Sequence, residues 1–156
     1  MLSIHIIVVG KDKDKGIAEL SAHFKKMIRK YARLEMTFVP ESKYNSSTDI
    51  SKARAVEADA ILGRLKGGYI ISLEVTGQSL NTHLFAERLN LIQLQGNSKI
   101  DFIIGGPFGL DAKISQKADM LLSFSSLTMS HQIIRLVLLE QLYRVLNMNA
   151  GGSYHK

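Results

Sequence analysis

The chain has 156 residues, with 20 lysines and arginines against 14 acidic residues and a formal net charge of +6 at pH 7. A chain of this length is expected to form one domain, spanning 1–156, with a full apolar core. It has no cysteine, which excludes disulfides and thiolate metal sites and favours a cytoplasmic location. No apolar run approaches the roughly 18 residues of a transmembrane helix. The positive charge suits a polyanionic partner such as RNA or the ribosome.

Five short aliphatic or β-branched runs predict strands. They lie at 2–9, 34–39, 69–74, 100–104 and 120–124. The first run, in "MLSIHIIVVG", lacks the charged start and small-residue cleavage site of a signal peptide and is predicted to be a strand. Segments compatible with helices separate the runs, and a further helix follows the last. This alternation predicts a three-layer α/β fold, with helices on both faces of a parallel sheet.

The first predicted helix has an apolar stripe and a basic face. The stripe consists of Ile17, Leu20, Phe24, Met27, Ile28 and Tyr31. The opposite side carries Lys25, Lys26, Arg29, Lys30 and Arg33, with no acidic residue between the first and last of them. A solvated surface accounts for such a face in a single helix. Contact with an RNA backbone is the other interpretation, with Arg29 and Arg33 as candidates.

The last predicted helix, over 131–146, has apolar residues all around its axis. Such a helix must be covered on every side, so a second copy of the chain is predicted to cover it in a homodimer. Glu140 and Arg144 stand four residues apart in the order that favours a helical ion pair. His131 and Arg135 share another face, beside the turn where the helix begins.

Three loops that follow predicted strands have an unusual composition. They read "SLEVTGQSLN", "IIGGPFGLD" and "FSSLTMSHQ", and they are rich in Gly, Ser and Thr with almost no basic side chains. Ligands of open α/β sheets bind beyond the carboxyl ends of the strands. The first strand is followed by neither G-x-G-x-x-G nor a Walker A motif, which disfavours a nucleotide phosphate site. A pocket of backbone groups without basic residues suits S-adenosylmethionine, because its sulfonium is cationic.

The glycine loop also has a purely structural explanation, and the histidines do not indicate a metal site. Taken alone, "GGPFG" is also explained as a tight turn. The five histidines show no ligand-like pairing, so no metal is predicted.

Four segments closely resemble the ribosomal RNA large subunit methyltransferase H family, a group of SPOUT-class enzymes. They are "SLEVTGQ", "FIIGGPFGL", "SFSSLTMSHQIIRLVLLEQLYR" and the terminal "YHK", and the resemblance runs along the whole chain. Small departures are Glu74 where Asp is frequent, Gln78 where Lys is common and Val145 where Ala is usual. The resemblance implies an α/β trefoil knot, an exception to the rule that chains do not thread themselves. It also implies a homodimer that uses S-adenosyl-L-methionine.

The resemblance further implies the reaction and the cofactor residues. The product would be N3-methylpseudouridine in 23S rRNA, at the position customarily numbered 1915, made on the assembled 70S ribosome. The family's cofactor positions match Leu73, Gly105, Phe124, Ser125, Ser126, Leu127, Thr128 and Met129 of this sequence.

The end of the chain and the start of the last helix hold the remaining candidates. Tyr154 offers a stacking surface for a flipped-out base, and His155 and Lys156 offer charge to RNA. A frayed chain end is the structural alternative. Methylation at N3 requires the N3 proton to leave, so a neutral histidine would accept it or a cation would stabilise the anionic ring. His131, Arg135 and His155 are the catalytic candidates, and the sequence does not choose among them.

Two other functional classes remain open at this point. A non-enzymatic, basic ribosome- or RNA-binding factor would bind RNA without binding the cofactor. A nucleotide-dependent enzyme with an unusual glycine loop would bind NAD or ATP instead.

Overall fold

The computed structural model describes residues 1–43 and 47–155, and the side chains of the second helix from Asp49 onward. The described residues form five strands that alternate with five helices. The strands are β1 (Ser3–Val9), β2 (Arg33–Val39), β3 (Tyr69–Ser79), β4 (Lys99–Ile104) and β5 (Met120–Ser123). The helices are α1 (Lys15–Ile28), α2 (Ser47–Leu62), α3 (Thr82–Leu94), α4 (Ala112–Lys117) and α5 (His131–Asn149).

The five predicted strands are confirmed, and they form one parallel sheet in the order β2-β1-β4-β3-β5. The third strand is longer than predicted. It continues to Ser79 because it pairs again with β5 after a register shift between Leu73 and Gln78. A Cβ atom on Gly77 would lie 2.7 Å from the backbone of Leu121 and Leu122, so position 77 accepts only glycine. The polar segment after Leu73 is thus an irregular part of the strand, not a free loop.

The apolar core is divided between the two faces of the sheet. On one face, the sheet packs against α1, α3 and α5 through residues such as Ile28, Phe85 and Leu139. On the other face, α2 and α4 contribute Ile61 and Ile114 to a second cluster. Helices therefore cover both faces, as the alternating pattern predicted. None of the described helices is long and apolar enough to cross a membrane.

The cover of α5 differs from the sequence prediction. Leu139 and Leu142 are fully buried within one protomer. Helix α5 lies on the sheet and packs against α1 on one side and α3 on the other. The protomer itself therefore buries most of the apolar surface that was assigned to a second copy. Ile133 is the large apolar residue of this helix that stays exposed, at 42%.

Candidate functional site

A cavity of about 830 Å³ lies beside the irregular part of β3, at the carboxyl ends of β4 and β5 and the start of α5. All three loops singled out in the sequence contribute to its wall. They meet because parallel neighbouring strands end at the same edge of the sheet. The cavity has a volume typical of small-molecule sites.

Seven of the eight positions that match the family's cofactor residues line this cavity. They are Leu73, Gly105, Phe124, Ser125, Leu127, Thr128 and Met129. Ser126 lies in the same loop but is not among the lining residues. Leu127 is 75% exposed and therefore lies at the rim. The wall consists mainly of apolar side chains, small residues and backbone groups.

The glycine loop between β4 and α4 is both a tight turn and a wall of the cavity. The N–H of Gly109, a residue with φ of 78°, donates to the carbonyl oxygen of Gly106 at 3.1 Å. A Cβ atom on Gly105 would lie 2.9 Å from Cγ of Leu110. Glycine at 105 is thus required by packing inside the loop. A larger residue there would first displace Leu110 rather than simply fill the cavity.

Serine hydroxyls hold the loop between β5 and α5 in shape. Oγ of Ser123 donates to the carbonyl oxygen of Ser125 at 3.0 Å. Oγ of Ser125 accepts from the Leu127 N–H at 2.9 Å. Ser130 is the N-cap of α5, and its Oγ accepts from the Ile133 N–H at 3.2 Å. These bonds explain the Ser-rich composition of the segment, because the side chains fix the backbone that lines the cavity.

His131, the first residue of α5, lines the cavity and is partly buried. Its Nε2 atom is shielded from solvent and has no hydrogen-bond partner among the described residues. Burial lowers the pKa of this imidazole, the positive charge of Arg135 lowers it further, and Glu41 partly opposes the shift. The ring is therefore neutral at pH 7 and has a nitrogen available to accept a proton.

Arg135 lies one turn further along α5, and its side chain is fully buried. Its Nη1 donates to Oδ1 of Asp12 at 2.7 Å and its Nη2 donates to the Val9 carbonyl oxygen at 3.3 Å. Its Nε donates to the carbonyl oxygen of His131 at 3.0 Å. Arg135 is not among the cavity-lining residues. It joins the start of α5 to the segment after β1 and so holds His131 in place.

Two charged residues of the cavity wall were missed in the sequence analysis. Arg54 reaches the cavity from α2 and Glu74 reaches it from β3. The expectation of a pocket without basic residues is therefore wrong. No sequence signal marked Arg54, because α2 is remote in sequence from the three loops and joins them only through packing. Glu74 belongs to the segment "SLEVTGQ", but the sequence alone does not show that its side chain lines the cavity.

The lining is compatible with an adenosyl compound that carries positive charge. Aromatic, aliphatic and backbone groups dominate the wall, and Glu74 is the one carboxylate among the described lining residues. Among the residues that the structure describes, no group of three or more His, Asp or Glu side chains is placed to hold a metal ion.

The end of the chain folds back on α5. The N–H of Gly152 donates to the Asn147 carbonyl oxygen at 2.8 Å. The N–H of Tyr154 donates to Oδ1 of the same asparagine at 2.9 Å. The Tyr154 ring lies 4.5 Å from the Tyr143 ring, and the Arg144 guanidinium lies 4.6 Å from the Tyr154 ring centroid. The described part of the tail is thus packed rather than frayed.

The structure does not bring the tail to the cavity of the same protomer. Tyr154 and His155 are not among its lining residues. Nε2 of His155 lies 3.2 Å from Nε2 of His83, at the start of α3. Lys156 lies outside the described residues. The predicted ion pair of Glu140 and Arg144 is confirmed, with Nε donating to Oε1 at 3.0 Å.

The two RNA-binding candidates of the basic face are exposed but lie far from the cavity. Arg33 begins β2, and Arg29 follows the last residue of α1. Both lie at the amino ends of the strands, whereas the cavity lies at the carboxyl ends. Seven residues of β2 correspond to roughly 20 Å at about 3.3 Å per residue. The structure therefore places Arg29 and Arg33 at the opposite edge of the sheet.

Solved structures with a similar fold include a probable methylase family protein and a tRNA methyltransferase. A probable methylase family protein from Haemophilus influenzae Rd KW20 matches 98% of this chain and 70% of its own, with a TM-score of 0.56 and 13% identity. The tRNA (m1G37) methyltransferase from Aquifex aeolicus matches 99% of this chain and 75% of its own, with a TM-score of 0.54 and 16% identity. At such low identity these matches show the fold alone. They confirm the predicted α/β fold class.

Sequence comparison extends over nearly the whole chain. The family described as "Predicted SPOUT methyltransferase" matches residues 2–155. The ribosomal RNA large subunit methyltransferase H of Leuconostoc citreum is 38% identical, with 99% of this chain and 100% of that protein covered. The protein of that name from Clostridioides difficile is 37% identical with the same coverage. S-adenosyl-L-methionine is the cofactor of SPOUT methyltransferases, as predicted. The chain belongs to the SPOUT methyltransferase family.

Proposed function

We propose that this protein transfers a methyl group from S-adenosyl-L-methionine to N3 of a pseudouridine in 23S rRNA of the assembled ribosome. The names of its relatives support rRNA as the substrate. The observation that carries the proposal is the position of His131. A neutral imidazole with an unpaired, shielded nitrogen lines the same cavity as the cofactor-matching loops.

In the proposed reaction, bound S-adenosyl-L-methionine supplies a methyl group activated by the sulfonium. The loops around Leu73, Gly105 and Phe124 hold the adenosyl part through backbone groups. The neutral imidazole of His131 accepts the N3 proton, which converts the ring nitrogen of the base into a nucleophile. The apolar wall limits water around this nitrogen and keeps both partners oriented, so positioning contributes much of the rate.

The other candidate residues take different roles in this proposal. Arg135 is a positioning residue, since its donors are used within the protomer. Tyr154, His155 and Lys156 contact RNA. Arg29 and Arg33 contact RNA at a second place, at the opposite edge of the sheet. The whole chain, 1–156, acts as one domain in the cytoplasm.

We also propose a homodimer in which the exposed part of α5 contributes to the contact. Ile133 supports this because it remains 42% exposed in the first turn of α5. Ile133→Glu is expected to shift the protein from dimer to monomer in light scattering at micromolar concentration. Val56→Glu is the matched control, because Val56 is 62% exposed on α2, on the other face of the sheet. A wild-type mass near 17.4 kDa, the mass of one chain, would contradict the dimer.

The function is tested with ribosomes from cells that lack the modification. Incubation with radiolabelled S-adenosyl-L-methionine should label 23S rRNA at a pseudouridine, and His131→Gln should label it much more slowly. Calorimetry with S-adenosyl-L-methionine, NAD and ATP separates the other classes. Affinity for RNA without affinity for the methyl donor would indicate a non-enzymatic ribosome-binding factor. Binding of NAD or ATP instead would indicate a nucleotide-dependent enzyme.

A further inference from the structure

Two opposite charges line the candidate cofactor cavity without pairing with each other. Arg54 comes from α2 and Glu74 from β3. In the described part of the chain, neither residue forms an ion pair within 4.0 Å. Opposite charges in a partly dry cavity normally pair with each other or with a ligand.

Arg54 interacts electrostatically with Glu57, yet one donor of its guanidinium lacks a partner within the described part of the protomer. Its Nε is shielded from solvent and has no hydrogen-bond partner there. Glu41 and Glu57 line a small neighbouring cavity together with Arg54. Oε1 of Glu57, however, accepts from the Ser42 N–H at 2.9 Å, and burial raises the Glu57 pKa more than Ser42 and Arg54 lower it. An oxyanion from a ligand would satisfy the guanidinium, whose planar donors suit a carboxylate.

Glu74 is held in one orientation. Its Oε1 accepts from Oγ of Ser72 at 2.8 Å and from Oγ of Ser115 at 2.7 Å. Ser72 is fully buried, and Ser115 belongs to α4, so two separate elements fix the carboxylate. A preorganised carboxylate of this kind suits a cationic group of a ligand, because little conformational entropy is lost on binding.

We propose that Arg54 and Glu74 form a subsite for the amino-acid end of the methyl donor, with Arg54 binding its carboxylate and Glu74 binding its ammonium group. The inference rests on the proposed function, since it requires that the cavity holds the methyl donor. A phosphate of RNA is another source of an oxyanion for Arg54. A zwitterion fits better, because Glu74 attracts its ammonium group but repels a phosphate in the same cavity.

The test uses three neutral-sulfur ligands, which removes the sulfonium from the comparison. S-adenosylhomocysteine has both the carboxylate and the ammonium group, its decarboxylated analogue has the ammonium group alone, and methylthioadenosine has neither. Calorimetry would measure their affinities for the wild type, Arg54→Gln and Glu74→Gln. Matched controls are Lys52→Gln on the exposed side of α2 and Glu87→Gln on α3.

Each variant should lose affinity only for ligands that carry its partner group. Arg54→Gln should weaken S-adenosylhomocysteine about tenfold to a hundredfold, the usual range for a charged hydrogen bond, and leave the decarboxylated analogue unchanged. Glu74→Gln should weaken both of these ligands and leave methylthioadenosine unchanged. If Glu74→Gln does not fold, Ser115→Ala tests the same point, with a smaller loss in the same order of ligands.

The outcomes separate this inference from the proposed function. A folded wild type that binds neither S-adenosylmethionine nor S-adenosylhomocysteine would refute both. A wild type that binds S-adenosylhomocysteine, with Arg54→Gln and Glu74→Gln binding it equally well, would refute the subsite alone. Unchanged S-adenosylhomocysteine affinity in Arg54→Gln, combined with a raised KM for ribosomes, would assign the guanidinium to an RNA phosphate and overturn the proposal.

Discussion

His131 and Arg135 stand one turn apart at the start of α5, yet their surroundings differ. Every hydrogen bond that the structure gives to the Arg135 guanidinium ends inside the protomer, on Asp12, Val9 and His131. His131 lines the cavity, and its Nε2, shielded from solvent near Gly10, has no partner among the described residues. Buried polar atoms are normally paired, so an unpaired one beside a cavity points to a ligand, while a fully paired one points to structure. We therefore expect Arg135 to contribute mainly to stability and His131 mainly to the reaction.

The largest effect is expected on stability, from Arg135→Met. The change leaves the Asp12 carboxylate and the Val9 carbonyl without their buried partner. Removing one member of a buried pair costs about 3–5 kcal/mol of unfolding free energy. Urea denaturation would measure it. Arg144→Met is the control, because its ion pair with Glu140 is partly exposed and is expected to contribute about 1 kcal/mol or less. If both variants lost the same unfolding free energy, Arg135 would contribute no more to stability than a partly exposed ion pair does.

His131→Gln should reduce kcat by about 10²-fold or more, which is the usual contribution of a general base, with little change in cofactor affinity. In the wild type the rate should rise with pH as His131 loses its proton. Because the His131 pKa is lowered, the rate should already reach its plateau before the pH rises to about 6.5, the usual histidine pKa. Arg135→Lys keeps the positive charge that depresses this pKa and should preserve the profile. If His131→Gln kept the pH–rate profile of the wild type, His131 would not be the group that accepts the proton.

The same lowered pKa affects stability. The folded state prefers neutral His131, and the unfolded chain protonates at the ordinary, higher pKa. Stability is therefore full above about pH 6.5 and falls as the pH decreases below it. His131→Gln should lack this part of the pH dependence, which denaturation at pH 5 and pH 7.5 would measure.

Tyr154→Ala should have an intermediate effect. Its ring packs on Tyr143 and under the Arg144 guanidinium, so its loss should lower the unfolding free energy by about 1–2 kcal/mol. Tyr154→Phe should keep nearly all of the stability, since it removes only a long hydrogen bond to Glu140 of 3.3 Å. Stability that is identical in the wild type and the alanine variant would mean that the tail is frayed in solution.

The smallest effect is expected at the opposite edge of the sheet. The double change Arg29→Gln and Arg33→Gln should leave cofactor affinity and kcat unchanged. It should raise the KM for ribosomes about twofold to threefold at low salt, and the difference should vanish at high salt, since exposed charges are screened. Initial rates at two ionic strengths would measure it, with Lys52→Gln as the control. A loss of kcat would show that these arginines act at the cavity after all.

The sequence by itself determined the strands, the parallel sheet and the three loops that meet at one edge. These features follow from local periodicity and small-residue composition, which neighbouring residues encode. It could not rank His131, Arg135 and His155, because the three residues share chemistry and differ only in what surrounds them. It also could not place Arg54 in the cavity or show that α1 and α3 cover α5. Those facts depend on contacts between segments far apart in the chain, and only the tertiary structure decides them.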